Sequence, residues 1–244
     1  ITPWNFPLST VIRKMVPALV CGNSIVLKPS EFSSLTSIFL FELLDNISLP
    51  NGVVNLVLGE GNVIGPSLMD LSIIKIISFT GSTDTGELIQ KHLGSSDVRY
   101  QAEMGGSNAL VIWEDADIDN AVNAAITSGM ACAGQWCTGI SKLVVHGKIY
   151  NRAINSLTKA VKNITVGDGS IPSTDMGPLN NSQQLMKMKN YVERALKQGA
   201  EVITGGTAIE SGRNKGYFFS PTLIGNVNEN MEIASEEIFC LLYT

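Results

Sequence analysis

The segment at residues 73–86, IIKIISFTGSTDTG, indicates the fold class of this chain. Its first half, residues 73–79, is a compact apolar run rich in isoleucine, which is typical of a buried parallel strand. Its second half is a turn of small residues, and a helical pattern follows at residues 83–93. A strand that leads through a glycine-containing turn into a helix is the repeating unit of an α/β sheet.

The same alternation extends on both sides of this stretch. Upstream, apolar runs at 24–27 and 53–58 predict strands, and helical patterns are present at 35–46 and 62–70. Downstream, strands are predicted at 98–104, 109–113, 142–146, 201–203 and 217–224, and helices at 118–131, 150–163 and 183–198. This rhythm predicts an α/β protein with a Rossmann-like, doubly wound sheet.

A glycine pair, Gly105-Gly106, lies between two of the predicted strands. Because glycine permits a sharp change of chain direction, we predict two domains, residues 1–106 and 107–244. In the second domain, Asp117 or Asp115 and, further on, Asn181 precede apolar helical patterns, and Asp and Asn are favoured N-cap residues.

The composition excludes several classes of partner. The net charge of −5 and the pI of about 5.1 argue against binding to nucleic acid or an anionic membrane surface. The apolar run at 38–44 contains Glu42 and is too short to span a bilayer. Four irregularly spaced cysteines and two isolated histidines suit neither a disulfide framework nor a metal site. We therefore expect a cytoplasmic protein without a metal ion.

Both ends of the chain suggest a longer parent protein. Residue 1 is Ile rather than Met, and residues 236–244 stop within a strand-like stretch. Real termini are usually polar and dispensable. We expect the chain to be an internal fragment that is poorly folded or inactive by itself.

The segment Gln135-Trp136-Cys137-Thr138, preceded by Gly134, carries the best candidate nucleophile. Taken alone, such a cysteine is more often a small buried hydrophobic residue. Three further chemically distinctive segments accompany it, namely Pro3-Trp4-Asn5-Phe6-Pro7, Lys28-Pro29-Ser30-Glu31 and Glu103-Met104-Gly105-Gly106.

Together these four segments resemble the NAD(P)-dependent aldehyde dehydrogenase superfamily, along essentially the whole chain. The resemblance implies a partial NAD-binding domain at 1–106 and a truncated catalytic domain at 107–244. It assigns the nucleophile to Cys137, and the oxyanion donors to the Asn5 amide and the Cys137 backbone N–H. Glu103 is the implied base for thioester hydrolysis, and we expect its neighbours Ala102 and Met104 to desolvate the carboxylate.

The resemblance also implies a set of cofactor-binding residues. Lys28 and Glu31 correspond to the adenosine-ribose contacts, and a Glu there favours NAD, with NADP possible. Gly81 and Ser82 correspond to the pyrophosphate-binding turn, and Gly65 ends a second glycine-rich turn, one residue late for the dinucleotide fingerprint. Glu237 and Phe239 match the residues that hold the nicotinamide ribose and pack on the ring.

Two segments depart from the family pattern. Cys240-Leu241 follows Phe239 where relatives have Gly-Pro, and Ser107-Asn108 follows the glycine pair where relatives usually begin with Lys. The first departure bears on the placement of Phe239.

The substrate prediction depends on Arg13, which lies eight residues after Asn5 on a predicted helix and so about two turns further along the same face. Its guanidinium would bind a substrate carboxylate, as in succinate or α-ketoglutarate semialdehyde. A surface Arg beside Lys14 is the equally weighted alternative.

Other open functions are a broad-specificity or hydroxyaldehyde dehydrogenase, an acylating enzyme that uses coenzyme A, and a catalytically silent scaffold. The resemblance implies a homodimer or homotetramer.

Overall fold

A computed structural model describes residues 1–209, 216–240 and 242–244. The chain divides into two compact units, Ile1–Gly105 and Gly106–Thr244. Both units are of the α/β class with parallel strands. In the part of the chain that is described, no helix is long and apolar enough to cross a membrane.

The first unit alternates helices and short strands from its start. Its elements are α1 (Ser9–Val20), β1 (Ile25–Leu27), α2 (Ser34–Asp45), β2 (Val54–Leu56), α3 (Gly61–Met69), β3 (Ile76–Thr80), α4 (Thr83–Leu93) and β4 (Arg99–Glu103). Strand β1 pairs with β2 and β3 pairs with β4, both in parallel. In the β3–β4 pair, Ser78 lies opposite Gln101 and Thr80 opposite Glu103.

Two apolar clusters hold these elements together. Val11, Met15 and Leu27 form the cluster between α1 and β1. A second cluster joins β3 to α4 through Ile77, Phe79, Ile89 and Leu93, all less than a tenth exposed. The spacing of Ile89 and Leu93 places both on one face of α4, which explains why this helix packs against the β3–β4 pair.

The second unit contains a five-stranded sheet. Its elements are β5 (Asn108–Ile112), α5 (Ile118–Met130), β6 (Ile140–Val145), α6 (Tyr150–Lys162), α7 (Ser182–Lys197), β7 (Glu201–Thr204), β8 (Leu223–Gly225), α8 (Glu232–Ser235) and β9 (Leu242–Tyr243). The strand order is β5-β6-β9-β8-β7. All neighbours are parallel except the β7–β8 pair.

Most predicted elements are found, with ends that differ by a few residues. Asp117 rather than Asp115 caps α5 by accepting from the backbone N–H of Asn120, and Asn181 caps α7 by accepting from that of Gln184. The strand predicted at 217–224 is wrong over most of its length, because β8 begins only at Leu223. Tyr217 and Phe219 instead form isolated bridges with Leu179 and Ala208.

Candidate active site

The nucleophile loop, residues 131–139, turns sharply after α5 ends at Met130. Cys132 and Ala133 both have positive φ values, 52° and 56°, a conformation in which non-glycine residues are strained. Gly134 follows with φ 67°, and a Cβ there would lie 2.8 Å from Cys240 Cα. The loop therefore needs glycine at this position. Cys137 follows with a free, half-buried thiol.

Two side chains anchor the loop on either side of Gly134. Asn108 Nδ2 donates to the carbonyl oxygens of Cys137, at 2.8 Å, and Gly139, at 3.0 Å. Gln135 is buried, donates to Cys132 O at 3.0 Å and accepts from Asn180 N at 2.8 Å. Sequence reasoning missed the role of Asn108, although an amide at the start of a strand next to a glycine pair was a usable signal.

A small cavity adjoins the loop within the second unit. It is lined by ten residues, among them Gly106, Gly134, Trp136, Glu237, Phe239 and Cys240. The structure thus brings the predicted nicotinamide residues Glu237 and Phe239 to the same cavity as the neighbour of Cys137. Phe239 adopts φ 60°, which is unusual for a bulky residue.

Glu237 is an incompletely satisfied carboxylate. Its Oε1 atom is buried and has no hydrogen-bond partner among the described residues. Burial raises the pKa of Glu237, against opposing effects from the Gly106 backbone hydrogen bond and the charge of Lys187. Cys240 is buried beside it, and desolvation raises the pKa of the Cys240 thiol to about 12. Leu241, which follows Cys240 in the same departure from the family pattern, lies outside the described residues.

Asn5 and Arg13 both lie in the first unit, but not on one helix. Helix α1 begins at Ser9, so Asn5 precedes it and the predicted shared helical face is wrong. Arg13 lies within α1 and is exposed, while Asn5 is half-buried. The relation between the two residues is therefore set by the turn at 6–8 rather than by helical periodicity.

Glu103 is the last residue of β4 and is exposed. The burial expected from Ala102 and Met104 is not found, because Glu103 is exposed to solvent. Instead Gln101 Nε2 donates to Glu103 Oε1 at 2.9 Å. Ser78 Oγ donates to Gln101 Oε1 and accepts from Lys14 Nζ. These three polar partners were not identified from the sequence.

The predicted adenosine contacts form an ion pair at the end of β1. Lys28 is 4% exposed, and its Nζ lies 3.2 Å from Oε2 of the exposed Glu31. The Glu31 side chain is 38% exposed, so part of it remains open to solvent.

The turn between β3 and α4 has the features of an anion-binding helix start. Ser82 is the N-cap of α4, where its Oγ accepts from Thr85 N. A Cβ at Gly81 would approach Phe79 Cζ to 2.5 Å, so this position requires glycine. The second glycine-rich segment leads into α3, and Gly65 lies inside that helix, within the helical pattern predicted at 62–70.

The predicted site residues are thus divided between the two units. Asn5, Arg13, Lys28, Glu31, Gly65, Gly81, Ser82 and Glu103 lie in the first, and Cys137, Glu237 and Phe239 in the second. Among the residues with described positions, no cluster of His, Cys, Asp and Glu is suited to hold a metal ion.

Comparison with known proteins gives a consistent assignment. The model of the aldehyde dehydrogenase family matches residues 1–241. The chain is 38% identical over 240 residues to α-ketoglutaric semialdehyde dehydrogenase of Bacillus subtilis, covering 98% of this chain and 49% of that protein. It is 40% identical to 2,5-dioxopentanoate dehydrogenase of Saccharolobus solfataricus, covering 98% and 50% of the two chains.

A solved structure has the same fold as almost all of this chain. Betaine aldehyde dehydrogenase from Staphylococcus aureus, crystallised in complex with NAD+, superimposes with a TM-score of 0.97 at 36% identity. The match covers 99% of this chain and 48% of that one. The chain therefore spans about half the length of the relatives it matches.

Proposed function

The chain belongs to the aldehyde dehydrogenase family, and from that premise we propose that the protein containing it oxidises an aldehyde to a carboxylic acid with NAD(P)+. The observation that carries the proposal is the nucleophile loop, in which Cys137 is held by Asn108 beside the cavity that contains Glu237. A thiol that served only for packing would need neither strained backbone before it nor an unsatisfied carboxylate near its loop.

Cys137 begins the proposed reaction. Its sulfur attacks the carbonyl carbon, an S–C bond forms, and the carbonyl π electrons move to oxygen. The Asn5 amide and the Cys137 backbone N–H stabilise the resulting oxyanion, as the family resemblance implies. Asn108 assists by fixing the carbonyl of Cys137, which limits rotation of the adjoining peptide.

The residues present fit NAD. The buried, unpartnered Oε1 of Glu237 is suited to accept a hydrogen bond from a ribose hydroxyl, and Ser82 and Gly81 form a small-residue helix start for the pyrophosphate. Lys28 and Glu31 take the adenosine ribose, and Phe239 packs on the ring. When bound, NAD+ accepts hydride from the substrate carbon, which leaves a thioester on Cys137. We propose that NAD is preferred and that NADP is tolerated.

Glu103 completes the reaction as general base. Its carboxylate takes a proton from water, the water oxygen attacks the thioester carbonyl, and the C–S bond breaks to release the acid and the thiolate. The exposure of Glu103 supports this role, because the base has to reach a water molecule.

We propose a carboxylate-bearing semialdehyde as substrate. Arg13 is exposed and is in none of the ion pairs among the described residues, so its guanidinium is available for a bidentate contact with a carboxylate. Two of the relatives above act on such substrates by name, whereas betaine aldehyde dehydrogenase is named for a cationic aldehyde.

The substrate is tested by NADH formation in the full-length protein with succinate semialdehyde, α-ketoglutarate semialdehyde, betaine aldehyde and pentanal. We expect kcat/KM for the semialdehydes to exceed that for pentanal about tenfold, or about 1.4 kcal/mol. The preference should vanish in Arg13→Leu and persist in Arg152→Leu, a control at an exposed position on α6. Equal turnover of all four aldehydes, unchanged in Arg13→Leu, would identify a broad-specificity enzyme.

The reaction class is tested separately. Cys137→Ala should abolish NADH formation, Glu103→Gln should lower steady turnover about 100-fold or more, and Cys21→Ala, an exposed thiol, should change neither. Turnover that requires coenzyme A would indicate the acylating reaction. Absence of turnover with every aldehyde would favour a silent scaffold.

The resemblance further supports a homodimer or homotetramer in the cytoplasm. We propose this assembly for the full-length protein, and light scattering at micromolar concentration measures it.

A further inference from the structure

We propose that Gln101 is a positioning residue for Glu103, and that Ser78 and Lys14 hold the Gln101 side chain in place. The inference rests on the proposed function, in which Glu103 is the base that activates water. It adds a residue that makes no contact with the reacting atoms and acts through the carboxylate.

Strand geometry places Gln101 and Glu103 together. They are two residues apart on β4, so both side chains project from the same face of the strand. The neighbouring strand β3 contributes Ser78, which is paired directly opposite Gln101. A side chain of this length at position 101 therefore reaches forward to Glu103 and sideways to Ser78.

The hydrogen bonds run in one direction only. Lys14 Nζ donates to Ser78 Oγ at 2.7 Å, and an ammonium group has no acceptor to offer. The Glu103 carboxylate can only accept, so the Gln101 NH2 group faces Glu103 and its Oε1 atom faces Ser78. The Ser78 hydroxyl donates to Gln101 Oε1 while it accepts from Lys14, so each group in the series has a matched partner. The flipped amide would place two acceptor oxygens against each other at Glu103.

Glu103 is held in position by a hydrogen bond from Gln101 and not by a direct ion pair with Lys14. Its Oε1 atom is held at 2.9 Å by a neutral amide, while Oε2 has no hydrogen-bond partner among the described residues and remains for water. A direct contact with an ammonium would stabilise the carboxylate strongly and weaken it as a base. The interposed Ser78 and Gln101 keep the Lys14 charge at a distance.

A purely structural role does not explain these contacts. Gln101 is exposed, and the backbone alone forms the β3–β4 pairing. Lys14, by contrast, is half-buried, and desolvation lowers its pKa while the charge of Glu103 acts in the opposite direction. The hydrogen bonds therefore connect the half-buried Lys14 ammonium to the Glu103 carboxylate through the neutral side chains of Ser78 and Gln101.

The test isolates thioester hydrolysis from hydride transfer. The full-length protein is treated with p-nitrophenyl acetate without NAD, so that Cys137 attacks the ester, the acyl C–O bond breaks and nitrophenolate leaves. Rapid-quench samples are weighed by intact-protein mass spectrometry, which gives separate rate constants for acetylation and for decay of the acetyl-enzyme. The variants are Gln101→Leu, which removes both hydrogen bonds, and Gln101→Glu, which replaces the donor with a like charge. Gln90→Leu and Gln90→Glu, at an exposed position on α4, are the matched controls.

We expect decay to slow about tenfold in Gln101→Leu and further in Gln101→Glu, with acetylation within about twofold of wild type and both Gln90 variants unchanged. Decay within twofold of wild type in both Gln101 variants would overturn the proposal, as would an equal fall in both rate constants. If wild-type Cys137 is not acetylated, or if Glu103→Gln decays at the wild-type rate, the proposed function itself fails. Either of these two results can be told apart from a failure of the Gln101 proposal alone, in which wild-type Cys137 is acetylated and Glu103→Gln slows decay but the Gln101 variants do not.

Discussion

Glu237 is a residue of the second unit whose burial lowers the stability of the folded state. Glu237 has a half-buried carboxylate with one oxygen unpartnered, and burial is the main cause of its raised pKa. The folded state therefore binds its proton more tightly than the unfolded state does. The contribution of Glu237 to the free energy of unfolding is fully present below the pKa of its unfolded state. It is lost as the pH rises through the raised pKa of the folded state. At neutral pH the ionised carboxylate destabilises the fold, and such a cost is typical of a group kept for binding.

Replacing Glu237 by Gln should stabilise the full-length protein at pH 7. We expect a gain of about 1 kcal/mol, because the variant removes a desolvated charge that is only partly shielded from solvent. The gain should disappear near pH 4, where the carboxyl group is protonated in both states. Urea denaturation at the two pH values measures it, and Glu236→Gln at the exposed neighbour is the control. A gain of equal size at both pH values would contradict the assigned cause, and KM for NAD should rise if Glu237 holds the ribose.

At the scale of the element, helix α5 depends on its N-cap. Asp117 accepts from both the backbone N–H and the side-chain amide of Asn120, at 3.1 Å and 2.9 Å. This cap satisfies one of the free N–H groups at the helix start and places a negative charge near the positive end of the helix dipole. The same helix ends at Met130 and leads directly into the nucleophile loop.

Asp117→Ala should lower the free energy of unfolding by about 1 kcal/mol, the usual cost of a lost N-cap. Asp115→Ala, which removes an equally exposed carboxylate two residues earlier, should change stability by less than about 0.5 kcal/mol. Chemical denaturation of both variants gives the comparison. Equal losses would mean that overall charge, rather than the cap geometry, explains the effect.

Across the whole molecule, the four cysteines differ in their exposure to solvent. Cys21 and Cys132 are exposed, Cys137 is half-buried, and Cys240 is buried with a pKa of about 12. Alkylation needs both access and a thiolate. The thiol of Cys240 in the folded state has neither at pH 8.

Treatment of the native full-length protein with iodoacetamide at pH 8 should therefore modify Cys132 at least tenfold faster than Cys240. In concentrated urea the two rates should converge, because unfolding exposes both thiols and restores the ordinary thiol pKa. Peptide mass mapping over time measures each site. Rapid native modification of Cys240 would show that the core around Gly134 is not closed as described.

Much of the fold was predictable because its signals are local. Helix α4 spans the residues that the helical pattern indicated, and β3 begins three residues and ends one residue after its predicted limits. Family membership followed from short segments such as the one around Cys137, whose residue types are readable without knowledge of packing. The prediction of a strand at 217–224 was wrong over most of its length, because Tyr217 and Phe219 form isolated β-bridges and not a continuous β-ladder.

The order of strands and helices, the family and the candidate nucleophile could be read from the sequence, since each depends on residues close together in the chain. The exposure of Glu103 and the unpartnered oxygen of Glu237 became visible only in the folded chain. The tertiary structure also brought Ser78 to Gln101, 23 residues away, and Asn108 to Cys137, 29 residues away. Burial and side-chain pairing across strands depend on which distant segments pack together, and periodicity along a single segment carries no information about that choice.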